Sequence, residues 1–280
     1  MINKKDIAIC FVANQAYLPH FSVALISFIE NNADPYEIFL FNEDVDEESF
    51  NKLVELLNNK VSEARLHDVK LDTSRLSHFT GYWEKLGKQV YHRLLIADLL
   101  PNQFKYALYL DSDIVVNGSF NWEEFPSEGF PVAAVKDNIS HILAPKRGLK
   151  NYFNAGVMWL NLPLWQEMKA VDKLLTHKPK ITRFAEQELL NEVFANNWFE
   201  LSPKYNYAAH HLTNNKLLKN GQIPVVIHYV GPIKPWLYWV RGSKLYWHYL
   251  SLTPYAKGVS SKSITVWNSI KHLWKSRVLK

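Results

Sequence analysis

Positions 7–12, Ile-Ala-Ile-Cys-Phe-Val, form an unbroken apolar run of strand length that reads as a first core strand. Pro19 then opens a stretch in which Phe21, Leu25, Phe28 and Ile29 share one helical face. Residues 36–41 predict a second strand. Residues 46–60 predict a helix, with acidic residues in its first turn and Phe50, Leu53, Val54 and Leu57 as its apolar stripe. Residues 64–69 predict a third strand. This β-α-β-α-β order implies a mostly parallel sheet covered by helices, because parallel neighbours need a crossover and the crossover helices pack back on the sheet.

Residues 84–100 predict one long helix leading into Lys105-Tyr-Ala-Leu-Tyr-Leu-Asp-Ser-Asp-Ile-Val-Val, an apolar strand that ends in two carboxylates. Open parallel sheets bind ligands beyond the carboxyl ends of their strands. Residues 131–135 predict a short strand, followed by Phe153-Asn-Ala-Gly-Val-Met-Trp-Leu-Asn-Leu. Residues 164–177 and 183–196 predict helices, the second carrying Glu186-Gln-Glu-Leu-Leu-Asn. Beyond Glu200 the regular pattern weakens, although residues 223–229 predict a strand. Residues 262–280 return to helical spacing, with Trp267, Ile270, Leu273 and Trp274 near one face and Lys271, Lys275 and Arg277 beside it.

At 280 residues, 48% hydrophobic and 21% charged, the chain can bury the core of one α/β domain with a small appendage. No stretch approaches the roughly 18 apolar residues of a membrane span, and the opening residues lack a small-residue cleavage pattern. A cytoplasmic location is therefore expected. The single cysteine, Cys10, sits between Ile9 and Phe11, which offer nothing to lower a thiol pKa, so a buried structural role is expected. The net charge of +5 is unevenly spread: residues 201–280 hold 12 Lys or Arg and no Asp or Glu, whereas the first 200 carry 27 acidic against 20 basic residues, or −7. The basic third also holds 12 Phe, Trp or Tyr residues. Rings interleaved with cations suit an anionic membrane surface or a nucleic acid. No nucleic-acid-binding motif accompanies the charge, and no nucleic acid partner is expected.

Asp111-Ser-Asp113 is the sharpest chemical signal. Residues two apart at a strand end can project to one side, where two carboxylates share a hard divalent cation; without one they repel. The same local pattern resembles the haloacid-dehalogenase-type phosphatases, in which the first Asp, here Asp111, is the nucleophile. That motif lies on an early strand of its domain, whereas about 110 residues of α/β pattern come first in this chain.

Three further blocks decide between these readings: Phe153-Asn-Ala-Gly-Val-Met-Trp-Leu-Asn-Leu, Glu186-Gln-Glu-Leu-Leu-Asn and His228-Tyr-Val-Gly-Pro-Ile-Lys-Pro-Trp. In this order they resemble the conserved blocks of the family 8 retaining glycosyltransferases, which include bacterial lipopolysaccharide galactosyl- and glucosyltransferases. The start of the chain from Ile7 to Tyr17 and the run Tyr91-His-Arg-Leu-Leu match as well, so the resemblance extends to about Trp239. It implies an α/β GT-A (nucleotide-diphospho-sugar transferase) fold, with a mixed, mostly parallel sheet flanked by helices. It also implies a catalytic domain over residues 1–240 and a basic aromatic appendage over 241–280. The implied donor is a UDP-sugar and the implied cofactor Mn²⁺, with Mg²⁺ as the other hard cation such ligands accept.

Carried over residue by residue, the resemblance makes Asp111, Asp113 and His228 metal ligands, a set of oxygens plus one imidazole that suits Mn²⁺. Gly231, which permits close backbone approach, and Lys234, a point positive charge, are matched to the diphosphate. Asn14, Tyr17 and Ser112 join them on the nucleotide side, with Tyr17 expected to stack on the uracil ring. Asn154, Glu186 and Gln187 look like donor-sugar contacts, Arg93 is expected near sugar and diphosphate, and Asp137 resembles a sugar- or acceptor-contacting acid. Taken alone, residues 186–188 read as a solvated helix face, Arg93 as a surface ion pair, and Tyr17 as a loop tyrosine. Two positions depart from the family's pattern. Asn14 stands where many members have Asp, and Glu186 replaces the commoner Asp beside the Gln.

The implied reaction is transfer of galactose or glucose, with retention, to a lipopolysaccharide or other surface-glycan acceptor. The aromatic, basic 241–280 region is expected to hold the protein against the cytoplasmic face of an anionic inner membrane. A non-catalytic glycan-binding or membrane-scaffolding protein would keep the same fold without turnover.

Overall fold

In the computed structural model, β1 (Ile7–Val12) sends Ile7, Ile9 and Phe11 into one core and Ala8 and Cys10 into another, which is why its apolar run has no polar alternation. The structure describes residues 2–61, 63–79, 88–178, 184–212, 222–232, 234–238 and 240–258. After β1 the chain runs through α1 (Leu18–Asn31), β2 (Glu37–Asn42), α2 (Glu47–Asn58) and β3 (Arg65–Lys70). There follow α3 (Ile96–Leu99), β4 (Tyr106–Leu110), β5 (Ile114–Val116), β6 (Val132–Lys136), α4 (Ser140–Arg147) and β7 (Phe153–Asn161). The remainder comprises α5 (Leu162–Glu167), α6 (Ala170–Thr176), α7 (Glu186–Val193), β8 (Trp198–Glu200), β9 (Tyr207–Ala208), β10 (Val226–His228) and α8 (Ser243–Ser251).

Seven strands form one sheet in the order β3-β2-β1-β4-β7-β6-β8, and only β7 runs against the rest. This is the mixed, mostly parallel sheet expected. One face carries Phe21, Leu25 and Phe28 of α1 and Leu53 and Leu57 of α2. The other carries Leu94, Ile96, Trp165, Leu174, Leu189 and Leu190. The start of α2 follows from its sequence: the Asp46 carboxylate accepts from Ser49 N at 2.7 Å, and Glu47 and Glu48 sit at the positive end of the helix dipole. Cys10 is fully buried, and burial pushes its thiol pKa up, so it is an inert core residue.

A second, three-stranded sheet in the order β5-β10-β9 leans on the first. The chain passes between the two sheets at Asp111-Ser-Asp113. Asp111 N still donates to Gly156 O of β7 at 2.8 Å, whereas Asp113 O already accepts from Tyr229 N at 3.0 Å. Because β10 pairs antiparallel with β5, His228 lies opposite Ile114, one residue from Asp113.

Three predicted elements come out differently. The helix expected over residues 84–100 is, in its described part, a 3-10 segment (Lys88–Leu95) followed by a single α-turn, α3; residues 80–87 lie outside the described residues. The single helix expected over 164–177 is two, α5 and α6, separated at Lys169, whose φ of 49° is left-handed. That turn brings Trp165 of the first and Val171 and Leu174 of the second into the same core, which outweighs the cost of a left-handed lysine. The strand expected over 223–229 shortens to β10.

Beyond residue 240, α8 packs Tyr246, Tyr249 and Leu250 against Val23 and Ile26 of α1 and Ile227 of β10. Of the 241–280 region expected to associate with a membrane, residues 241–258 are described and their α8 packs on the domain instead, while the basic aromatic segment 262–280 lies outside the described residues. Among the described residues, no helix is long and apolar enough to cross a membrane.

Candidate functional site

Three of the singled-out side chains, Asp111 and Asp113 from one turn and His228 from more than a hundred residues later, meet where the two sheets join. One donor atom from each of Asp111, Asp113 and His228 lies within 4.8 Å of the other two. His228 Nε2 is 3.2 Å from Asp113 Oδ1 and 3.6 Å from Asp111 Oδ2. Two carboxylates this close repel unless positive charge is supplied. Lys234 supplies part of it: its Nζ is ion-paired with Asp113 and donates to Tyr229 O at 2.8 Å. Burial alone would raise the Asp113 pKa, but Lys234 and His228 outweigh it and hold the carboxyl well below its ordinary value.

Arg93 supplies the rest. Its NH2 is 2.9 Å from Asp111 Oδ1 and 3.5 Å from Glu186 Oε1, while NH1 donates to Ala155 O at 3.0 Å. It is 8% exposed, so it is no surface ion pair; burial, which would lower its pKa, is overcome by Asp111 and its other anionic neighbours. Tyr109, two residues before Asp111 on the same side of β4, donates to Asp111 Oδ1 at 2.5 Å. Ser112 turns the other way and donates to Val12 O at 2.7 Å, so its hydroxyl ties β1 to the turn.

Glu186 and Gln187 begin α7. Burial pushes the Glu186 carboxyl up to about 7, against the opposing pull of Arg93. Gln187 Oε1 accepts from Ala155 N at 2.9 Å, which fixes the amide beside β7. Asn154 Nδ2 donates to Asp137 Oδ2 at 3.2 Å, so these two predicted sugar contacts form a pair. Gly231 is exposed, with φ +78°, a conformation that favours glycine.

Taken alone, residues 186–188 read as a solvated helix face, but the structure buries both Glu186 and Glu188; Glu188 goes furthest. It is completely buried and ion-paired through both carboxylate oxygens with Arg147 of α4, itself 4% exposed. This pair anchors the turn of α7 that presents Glu186 and Gln187. Glu188→Gln leaves the Arg147 charge buried without its counter-ion and is expected to cost about 3–5 kcal/mol in urea unfolding. The double variant Arg147→Met/Glu188→Leu is expected to cost far less.

Among the residues expected to meet the nucleotide, the Asn14 side chain accepts from Tyr17 N at 3.0 Å and caps the short helical turn that carries Tyr17. The Tyr17 ring meets His20 and Trp236 edge-on, with centroids 4.9 and 5.8 Å away. Burial and the nearby Asp113 and Asp111 raise its pKa, so its hydroxyl stays protonated. His20 stacks on Trp236 at 3.5 Å, and its Nδ1 contacts Tyr246 Oη at 2.6 Å. Burial lowers the His20 pKa to about 4, the Asp113 charge opposing only in part. The unfolded chain therefore binds this proton near pH 6.5, before the folded one does. The stabilisation is complete above pH 6.5 and is lost as pH falls towards 4, by about 3 kcal/mol in all. In urea melts between pH 7.5 and 4.5, His20→Phe, which keeps the stack, should show a shallower loss than the wild type.

Three contributors had not been singled out. Tyr109 stood in plain view two residues before Asp111. Gly156 carried the signal that a glycine inside a strand marks a close approach: a Cβ there would lie 2.2 Å from His228 Cε1 and 2.8 Å from Asp111 Oδ2. Asn206, 2.8 Å from His228 Nδ1, lies past Glu200 where periodicity gives no guidance.

This geometry can be compared with known proteins. A sequence profile described as Glycosyl transferase family 8 matches residues 8–240. The glycosyltransferase GlyB of Streptococcus pneumoniae is 30% identical over 243 residues, covering 82% of this chain and 57% of GlyB. GlyF of the same organism is 26% identical over 258 residues, covering 88% and 61%. The chain thus spans little more than half the length of these two relatives. A lipopolysaccharide 1,2-glucosyltransferase of Escherichia coli is 26% identical over 241 residues, covering 79% of this chain and 70% of that enzyme. Among solved structures, the bifunctional glycosyltransferase WbbM superposes with a TM-score of 0.75 at 18% identity, over 94% of this chain and 52% of its own. The galactosyltransferase LgtC, in complex with donor and acceptor sugar analogs, gives 0.72 at 18% identity, over 88% and 96%. These likenesses establish the GT-A fold, and the profile spans most of the sequence: the chain belongs to glycosyl transferase family 8.

Proposed function

We propose that this chain is a retaining, metal-dependent hexosyltransferase that moves galactose or glucose from a UDP-sugar to a lipopolysaccharide or other surface-glycan acceptor. The observation that carries the reading is the convergence of Asp111, Asp113 and His228, donor atoms within 4.8 Å of one another. Two hard carboxylate oxygens and one imidazole are a donor set that fits Mn²⁺. Asp111, Asp113 and His228 would hold a divalent ion, which would supply electrostatic stabilisation of the negative charge on a departing diphosphate.

The chain's own residues supply the remainder. Lys234, already beside Asp113, is within reach of a phosphate bound at the same place, and Gly231 lets the backbone approach it. Arg93, held by Asp111 and Glu186, keeps a positive charge between the diphosphate side and the sugar side. Glu186, with a pKa of about 7, can donate to or accept from a sugar hydroxyl. Gln187 has no proton to exchange and no useful nucleophilicity, so it orients the sugar while the acceptor hydroxyl enters on the face that UDP leaves. Asn154 and Asp137 line the sugar or acceptor side, and Tyr17 with Asn14 receives the base. Within the 241–280 region, the segment 262–280 that follows α8 is assigned to the cytoplasmic face of the inner membrane on its charge and aromatic content. The phosphatase alternative is disfavoured because Arg93 and Tyr109 both engage Asp111 Oδ1, which blunts the carboxylate as a nucleophile.

The test is UDP release from UDP-galactose, UDP-glucose and their N-acetyl forms without acceptor. One donor should be slowly hydrolysed with Mn²⁺ and spared after chelation. Release from none of them would favour a non-catalytic glycan-binding protein, and phosphate release from simple esters with phosphorylation of Asp111 would favour the phosphatase.

A further inference from the structure

The hydrogen bonds around Asn206 can run in only one sense. Asn154 Oδ1 accepts from Gly156 N at 3.0 Å, and Asn154 Nδ2 faces Asp137 Oδ2 at 3.2 Å. A backbone N–H only donates and an ionised carboxylate only accepts, so the Asn154 amide is oriented from both ends. Asn206 reaches the same Asn154 Oδ1 at 2.8 Å, a contact that its Nδ2 makes as donor. Its Oδ1 is therefore the atom that faces His228 Nδ1 at 2.8 Å. An amide oxygen has no proton to give, so the hydrogen of that bond sits on His228 Nδ1.

Little in this arrangement can relax. Asn206 and His228 are 7% and 4% exposed, so a lost partner leaves a buried polar atom unsatisfied. The parallel pairing of β9 with β10 aligns Ala208 with His228 and brings Asn206, just ahead of β9, against the ring. On the other side, Gly156 leaves no space beyond the ring's Cε1.

We propose that Asn206 is a positioning residue of the cation site. By accepting from Nδ1–H it leaves the lone pair of Nε2 to the ion shared with Asp111 and Asp113. By donating to Asn154 it ties that ligand to the Asn154–Asp137 pair on the sugar side. The inference rests on the metal reading given above. Partners of this kind are worth about 10–100-fold in metal affinity.

The tautomer is read directly from long-range ¹H–¹⁵N correlation spectra of metal-free, ¹⁵N-labelled protein at pH 8.5, with His228 assigned by its loss in His228→Gln. Mn²⁺ affinity is read by electron paramagnetic resonance in the presence of UDP. The wild type should carry a proton on Nδ1, whatever the occupancy of Nε2, which faces Asp113 Oδ1 at 3.2 Å. Asn206→Leu should leave Nδ1 bare and weaken Mn²⁺ binding about 10–100-fold. Asn206→Asp, which still accepts but cannot donate to Asn154, should keep Nδ1–H and recover most of the affinity. A bare Nδ1 in the wild type, or wild-type Mn²⁺ affinity in a folded Asn206→Leu, would overturn the proposal. Should Asn206→Leu not fold, the wild-type and Asn206→Asp spectra decide alone. Nδ1–H without any Mn²⁺ binding by the wild type would refute the metal reading and leave the assignment of the proton standing.

Discussion

Gly156→Ala is expected to remove UDP-sugar hydrolysis while leaving a folded protein destabilised by about 1–3 kcal/mol. Gly156 does not hold a left-handed conformation, so the backbone itself accepts alanine, and by chain entropy alone the change would stabilise by about 0.4–1 kcal/mol. Space reverses the sign. The added Cβ would fall 2.2 Å from His228 Cε1, 2.7 Å from His228 Nδ1 and 2.8 Å from Asp111 Oδ2. Neither neighbour is the far end of a flexible side chain: the His228 ring is held by Asn206, and Asp111 by Arg93 and Tyr109. The ring and the carboxylate must move apart. Urea melts with Mn²⁺-dependent UDP release measure both effects, and a stabilised, active Gly156→Ala would contradict this geometry.

Asp113→Asn should lower kcat/KM for UDP-sugar turnover by about a thousandfold or more, some 4 kcal/mol of transition-state stabilisation. The substitution preserves volume but removes one of the two carboxylate charges of the proposed cation site, and it strips Lys234 of its partner. Raising Mn²⁺ should not restore the rate, because the uncompensated Lys234 then opposes the cation. The melting temperature should fall as well: burial opposes the Asp113 charge, but Lys234 and His228 outweigh it and hold the carboxyl below its ordinary value, so the ionised side chain also stabilises the fold.

The parts of this molecule that were legible in the sequence are those governed by local pattern. The run Ile7–Val12 has no polar residue because both faces of β1 are buried, and that reads directly as a core strand. Asp111 and Asp113 were legible because an apolar strand ended in them, and His228 became legible through its neighbours Gly231 and Lys234. What escaped was decided by tertiary packing. The 3-10 winding of Lys88–Leu95 accompanies the burial of Arg93 against Asp111, which helix propensity does not register. The left-handed Lys169 that splits α5 from α6 is imposed by the core both helices share. Glu188 occupies a helical position indistinguishable by composition from the partly exposed Gln187, yet it is buried because Arg147, 41 residues away, waits there. Asn206 gave no local sign, since its role exists only once β9 and β10 are paired.

The account depends on a single cation held by Asp111, Asp113 and His228, and the most direct measurement is Mn²⁺ binding itself. Titrating Mn²⁺ into the 280-residue chain with UDP present, while following the free-ion electron paramagnetic resonance signal, should give one saturable site in the wild type. Asp113→Asn and His228→Ala, each folded by circular dichroism, should lose that site. One tight site that persists in both variants, or no site in the wild type, would contradict the account.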